Sequence, residues 1–239
     1  MELAIDTSTN TAGIALSKQG RIITETNWNA GRNHTVELIP KLISLLDQQQ
    51  IAITDITALV VARGPGSFNG LRVGLATAKG LAFALGIPLV GIGTLEAIAF
   101  AHTDSGSPIY PILQAGRSEI ATAKFGRQNG EWTKVIAEHV TTVESLCTTI
   151  TEQTILCGEI KPEQSGMIAG ELGSRASFPK EPDSFGRAGC LAMLGWCRIE
   201  AGDFDDTSTL QPLYLKKPSI TKPKRRKNDA LSHMQARIQ

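Results

Sequence analysis

Asp6, Thr7 and Ser8 close the run Ala4-Ile-Asp-Thr-Ser8, directly after a short apolar strand pattern. A carboxylate at a strand end, followed by hydroxyls in the next turn, suits a divalent cation and phosphate oxygens. The same residues suit a plain turn, in which Asp accepts from its own backbone. A second chemistry-bearing run is Gly64-Pro-Gly-Ser-Phe-Asn-Gly-Leu-Arg-Val-Gly74, which follows the apolar stretch Ala58 to Ala62 and leads into a small-residue helix pattern. A strand, a tight turn and a helix start present free backbone N–H groups, which fit either an anion or a closely approaching chain. No Walker A loop is present, because Gly70 is followed by Leu71 and Arg72 instead of Lys and a hydroxyl residue. The glycines at 64, 66 and 70 also miss the G-x-G-x-x-G spacing, and Ser67 sits in no G-x-S-x-G elbow. A generic glycine turn fits the spacing equally well.

Metal chemistry has little to work with. His34 opens a helical pattern, and His102, His139 and His233 stand apart from Cys and Asp clusters. Cys147, Cys157, Cys190 and Cys197 form no C-x-x-C pair and are expected as buried reduced thiols. No metal site is expected.

The elements that would position these residues follow from periodicity. Glu2 to Ile5, Ala12 to Ser17 and Arg21 to Asn27 read as a three-stranded meander. A helix is expected from 34 to 50, with Pro40 tolerated only if it lies near the first turn. Strand 58–62, a helix from 70 to 86, a strand near Pro88 to Gly91 and a helix near Leu95 to Ala101 complete a βββαβαβα order. In the helix after the glycine turn, Gly70, Gly74, Ala78 and Ala82 recur every four residues, flanked by Leu71, Leu75 and Leu85. That smooth side fits either another protein's helix or the chain's own sheet. Turn formers at Thr103 to Pro108 mark a boundary, after which three strands, a short helix near Thr142 to Thr149, strand Thr154 to Cys157, a segment near Gly166 to Ala169 and helix Arg187 to Ala201 repeat the plan in reduced form. No matching sequence repeat accompanies it. The expected organisation is 1–105, 106–216 and a basic tail 217–239.

At 239 residues with 41% hydrophobic and 20% charged residues, the chain has an ordinary globular composition. No apolar run reaches the length of a membrane span and the N-terminus lacks a signal-peptide pattern, so a cytoplasmic protein is expected. From Lys216 onward eight Lys/Arg against one Asp give +7, leaving about −6 on the rest of a chain whose net charge is +1. Lys224, Arg225, Arg226 and Lys227 in that tail are candidates for non-specific, salt-dependent contact with phosphates, or simply solubilise the terminus.

Ala4-Ile-Asp-Thr-Ser8, the Gly64 to Gly74 run, Ala78-Lys-Gly-Leu-Ala82 and Pro212-Leu-Tyr-Leu-Lys216 together resemble the bacterial TsaB (YeaZ) family. The resemblance implies an α/β protein of two actin/hexokinase/Hsp70-like (ribonuclease H-like) βββαβα domains, the second reduced. It also implies a non-catalytic subunit of the machinery that makes N6-threonylcarbamoyladenosine at position 37 of tRNA. Catalysis would lie on a TsaD-type partner whose helix carries an H-x-x-x-H metal pair; here His34 is followed four residues on by Leu38, and Glu37 is one position short of that face. The other partners implied are a TsaE-type ATPase and tRNA through the complex, with a homodimer when the chain is alone. The only cofactor left open is ATP or ADP at the complex interface, with Asp6, Thr7 and Ser8 as a vestigial phosphate loop. The partner seam is expected on helices 34–50 and 70–86, at Gly70, Leu71, Gly74, Ala78, Ala82, His34 and Leu38. A Gly74→Leu or Ala78→Glu chain would then fold and lose its partner. The alternative is an actin-like ATPase or a glycoprotease-like metallopeptidase acting on its own. Two departures from the family pattern stand out. Asn69 replaces the usual Thr, and Leu113-Gln-Ala-Gly-Arg-Ser-Glu-Ile-Ala121 stands where the family reads approximately L-D-A-R-R-x-E-V-Y, so the Asp, one Arg and the Tyr are missing.

Overall fold

A computed structural model describes residues 1–128, 130–179 and 186–216. Strand β1 (Glu2–Asp6) pairs antiparallel with β2 (Thr11–Lys18), which pairs with β3 (Arg21–Asn29); on its other side β1 runs parallel to β4 (Ala58–Gly64), followed by β5 (Leu89–Gly93). The register sets Ile5 between Ile14 and Val61. Because side chains alternate along a strand, Leu3 and Ile5 face one layer and Ala4 the other.

The first layer holds helices α1 (His34–Gln49) and α2 (Phe68–Leu85), which bring Leu38, Leu42, Leu45 and Leu46 together with Leu75 and Ala78 over that face. Ser67 caps α2 by accepting from the Gly70 N–H at 3.3 Å, and Gly86 ends it in a left-handed conformation. Pro40 lies well inside α1, past the first turn where the sequence places it. It is exposed, so water can satisfy the carbonyl that loses its helical donor.

The other face of the sheet is small, with Ala4, Ala15 and Ala62, and receives α3 (Thr94–Phe100) and α6 (Arg187–Glu200). α6, which the sequence groups with the second unit, therefore lies across the first sheet.

The second sheet repeats the order with β10 (Ala176–Ser177), β9 (Thr154–Gly158), β6 (Ile109–Gln114), β7 (Glu119–Gln128) and β8 (Glu131–Thr142). Its helices are α4 (Val143–Thr149) and α5 (Pro162–Leu172). The stretch 166–169 is part of α5, and the reduction of this copy shows in the seven-residue α4 and the two-residue β10. Leu95 and Ala99 of α3 share a core with Ile109, Leu113 and Phe125, so α3 is the layer that joins the two sheets.

Past α6 the chain returns along the first sheet. The Asp205 N–H donates to the Leu89 carbonyl at 2.9 Å, and the Asp205 carboxylate accepts from the Gly91 N–H at 2.8 Å, which covers the exposed edge of β5. The Leu213 N–H then donates to the Arg63 carbonyl at 2.6 Å, and Lys216 pairs with Glu119 of the second sheet. The basic residues Lys224 to Lys227 lie outside the described residues.

Candidate functional site

Asp6 ends β1 fully buried, and both carboxylate oxygens are taken by the chain itself. Oδ1 accepts from the Ser8 N–H at 2.8 Å and from its hydroxyl at 2.6 Å, which is a side-chain-closed turn. Oδ2 pairs with Nε of Arg187, the first residue of α6. The same guanidinium donates to the Thr9 hydroxyl and the Thr11 carbonyl, each at 2.9 Å. Arg187 thus supplies the positive charge that a cation would otherwise bring to this strand end.

The rest of the turn is covered by the glycine run. The Ser67 N–H donates to the Ser8 carbonyl at 2.6 Å, and the Thr7 hydroxyl to the Gly70 carbonyl at 2.7 Å. A methyl group at Gly70 would stand 2.0 Å from the Thr7 carbonyl oxygen, and one at Gly74 would stand 2.2 Å from the Thr7 hydroxyl. Only glycine lets α2 lie this close to the turn. The donor set therefore does not fit a magnesium–nucleotide at Asp6, Thr7 and Ser8, since its oxygens already have partners.

His34 is buried, and its Nε2 lies 2.8 Å from the Thr9 carbonyl oxygen, tying the start of α1 to the same turn. Leu38 belongs to the core. Among the described residues no three His, Cys, Asp or Glu side chains come together in a way that could hold a metal. Cys190 lines a cavity of about 270 Å³ between the sheets, with Thr11, His102, Glu159 and Arg187 on its walls. Burial, with Glu25 nearby, pushes the Cys190 thiol up to about 11, so it is no nucleophile at neutral pH.

These contacts correct the expected partner seam. Gly70, Leu71, Gly74, Ala78 and Ala82 are buried against the chain's own first sheet, and His34 and Leu38 are buried on the inner face of α1. The smooth side of α2 serves internal packing. What the two helices present outward is different. On α1, Val36, Ile39 and Ile43 are 68%, 42% and 52% exposed, and on α2 Phe83 is 85% exposed in a row with the exposed Arg72, Ala76 and Gly80. The signal for the α1 row was present in the sequence. At about 100° per residue, Val36, Ile39 and Ile43 share one stripe, while Leu38, Leu42, Leu45 and Leu46 share another roughly a third of a turn away. A helix with two apolar stripes needs two covers, and the sheet supplies one.

Comparison with known proteins bears on this geometry. The family model described as TsaD: tRNA N6-adenosine threonylcarbamoyltransferase matches residues 25–169. The TsaB protein of Bacillus subtilis (strain 168), described as a tRNA threonylcarbamoyladenosine biosynthesis protein, is 31% identical over 217 residues, covering 90% of this chain and 93% of that protein. The chain belongs to the TsaB (YeaZ) family. YeaZ from Pseudomonas aeruginosa superposes with a TM-score of 0.68 at 25% identity, covering 90% of this chain and 99% of that one. A second Pseudomonas aeruginosa structure, an uncharacterized protein with similarity to peptidase YEAZ, gives a TM-score of 0.73 at 24% identity over the same shares, so the two chains share a fold. No helix among the described residues of this TsaB-family chain is long and apolar enough to cross a membrane.

The departures from the family pattern also have places. The Gln114 amide donates to the Glu159 carbonyl at 2.6 Å and to the Gln164 side chain at 2.9 Å, tying β6 to the start of α5. Arg117 is exposed in the following turn, and Glu119 is the partner of Lys216.

One charged cluster at the junction of the sheets titrates. Burial raises the carboxyl of Glu96, in the first turn of α3, above its ordinary value; Lys134, Arg63 and a Gly93 hydrogen bond lower it, and Glu138 raises it further. A carboxyl raised in the folded state binds its proton more tightly there than in the unfolded chain. Stability is therefore lost as pH rises from about the ordinary 4.5 through the raised value. Glu96→Gln is expected to raise the urea midpoint at pH 7 and to leave it nearly unchanged near about pH 3, where the carboxyl is neutral in both the folded and the unfolded chain. Equal shifts at the two pH values would refute this account.

Proposed function

We propose that this chain acts in tRNA N6-threonylcarbamoyladenosine synthesis as the non-catalytic partner of a TsaD-type transferase, docking through the outer faces of α1 and α2. The observation that carries this is the exposed apolar row Val36, Ile39 and Ile43, beside the exposed face of α2 that carries Ala76, Gly80 and Phe83. Exposed side chains of this size, at helical spacing on two neighbouring helices, fit the face of another helical pair. Ala76 and Gly80 allow a partner backbone to come close.

Two features support a supporting role over catalysis. Asp6 is committed to Arg187 and Ser8, and His34 to a backbone carbonyl, so neither the strand-end carboxylate nor the lone imidazole is poised for a reacting group. In this reading the TsaE-type ATPase and tRNA engage the complex, any ATP or ADP sits at its interface, and two copies of the chain cover the same faces when no transferase is present.

Co-expression with a TsaD-type transferase, followed by measurement of complex mass and of modified adenosine in tRNA, tests the proposal. The expected result is co-purification in a defined stoichiometry and modification that requires both chains. A transferase that ignores this chain, and modifies tRNA equally well without it, would overturn the reading. The isolated chain is expected to give no binding heat with Mg-ATP.

A further inference from the structure

The segment Pro212 to Lys216 crosses from the first sheet to the second, and between it and the glycine turn lies a cavity of about 280 Å³. Pro65, Phe68, Gln114, Ala121, Tyr214 and Lys216 are among its walls. The Phe68 and Tyr214 rings meet with centroids 4.9 Å apart, and the Arg72 guanidinium lies 5.3 Å from the centre of the Phe68 ring. Tyr214 is 39% exposed at this mouth.

We propose that this cavity receives one unstacked base of a single-stranded RNA loop, stacking on Tyr214 and Phe68; this rests on the tRNA-modification reading above and extends it to a contact made by this chain. Bases in loops are splayed onto aromatic side chains and guanidinium planes, and every base has a face to offer. The volume is at the lower end for ligand pockets, roughly 300 Å³, which suits one flat ring system and not a helix or a duplex.

Ala121 and Gln114 line this space, so part of its wall is a methyl group, which leaves room, and a neutral amide, which adds no charge to repel phosphate. Arg72 over the Phe68 ring brings positive charge beside the cavity, and Lys216 on its wall is paired with Glu119. Base stacking and nearby positive charge are the two components of single-strand binding.

The test uses the full-length chain in complex with its transferase, and alone. The probes are a fluorescent anticodon stem-loop RNA with unmodified adenosine at position 37 and an RNA duplex of equal length without a loop. Tyr214→Leu and Phe68→Leu are each expected to weaken stem-loop binding about tenfold, to leave duplex binding unchanged and to keep the salt slope. Replacing Lys224, Arg225, Arg226 and Lys227 by Ala is expected to weaken both probes and flatten the salt slope by up to about 3. Stem-loop affinity within twofold of the unaltered chain for both Leu variants, equal losses on the duplex, or no stem-loop binding by the unaltered protein would each overturn the proposal. Tyr214→Trp and Phe68→Tyr, which keep a ring, are expected to bind as the unaltered chain does. A loss in these two, with normal melting, overturns it as well. Co-purification and modified adenosine are read from the same preparations. Leu variants that bind RNA normally in a working complex refute the cavity alone, whereas an unaltered chain that neither co-purifies nor supports modification refutes the broader reading.

Discussion

Ala78→Glu is expected to leave no folded chain, whereas Gly80→Glu, two residues further along α2, is expected to fold normally and to lose the transferase. Ala78 is fully buried against the first sheet, with Leu75 and Ala82 beside it in the same core. A carboxylate there has no partner, and burying an unpaired charge costs several kcal/mol out of a total stability of roughly 5–15 kcal/mol. Gly74→Leu belongs with it, because even a single carbon at position 74 would stand 2.2 Å from the Thr7 hydroxyl. This reverses the expectation that the small-residue spacing and the family resemblance together imply, that both variants would fold.

Gly80 is the opposite case. A side chain there meets nothing within 4 Å, so the substitution gains up to about 1 kcal/mol of helix propensity and loses no contact. If the outer face of α2 is the seam, the new carboxylate must be desolvated on docking, and the affinity should fall by about a hundredfold or more. Thermal melting and co-purification with a TsaD-type transferase read the two effects separately. A normally melting Ala78→Glu chain would remove the burial argument, and transferase retained by Gly80→Glu would remove α2 from the seam.

Arg187→Ala should cost about 3 kcal/mol in urea unfolding, and Asp6→Asn clearly less. The Asp6 side chain is 1% exposed and that of Arg187 17% exposed, so removing the guanidinium leaves a buried carboxylate with only Ser8 for company. Removing the carboxylate charge instead leaves a guanidinium that still has the Thr9 and Thr11 oxygens and some access to water. The double variant should recover part of the loss, giving a favourable coupling energy between the two positions. A cost below about 1 kcal/mol for Arg187→Ala would mean that the pair contributes little and that Asp6 is open to other ligands.

Much of the fold was legible because it depends on local pattern. The meander before the first helix, the strand leading into the glycine turn and the second run of three strands all lie close to where periodicity puts them. Pro40 and the stretch 166–169 are less legible, because a helix tolerates proline on a wet face and because a short amphipathic stretch between strands fits either period. The placement of α6 was not legible at all. Element order groups it with the second sheet, while the small residues Ala4, Ala15 and Ala62 draw it onto the first.

By itself the sequence determined that Gly70, Gly74, Ala78 and Ala82 share one side of a helix and that a close neighbour is required there. Helical spacing says which residues lie together, since the rotation per residue is set by the backbone. It does not say which neighbour takes that side. Only the tertiary structure decided that the neighbour is β1 and the turn after it, that the opposite side with Ala76, Gly80 and Phe83 is the one left open, and that Asp6 meets an arginine 181 residues away. Those outcomes depend on contacts between distant parts of the chain, which burial of the two apolar layers brings together and no local pattern encodes.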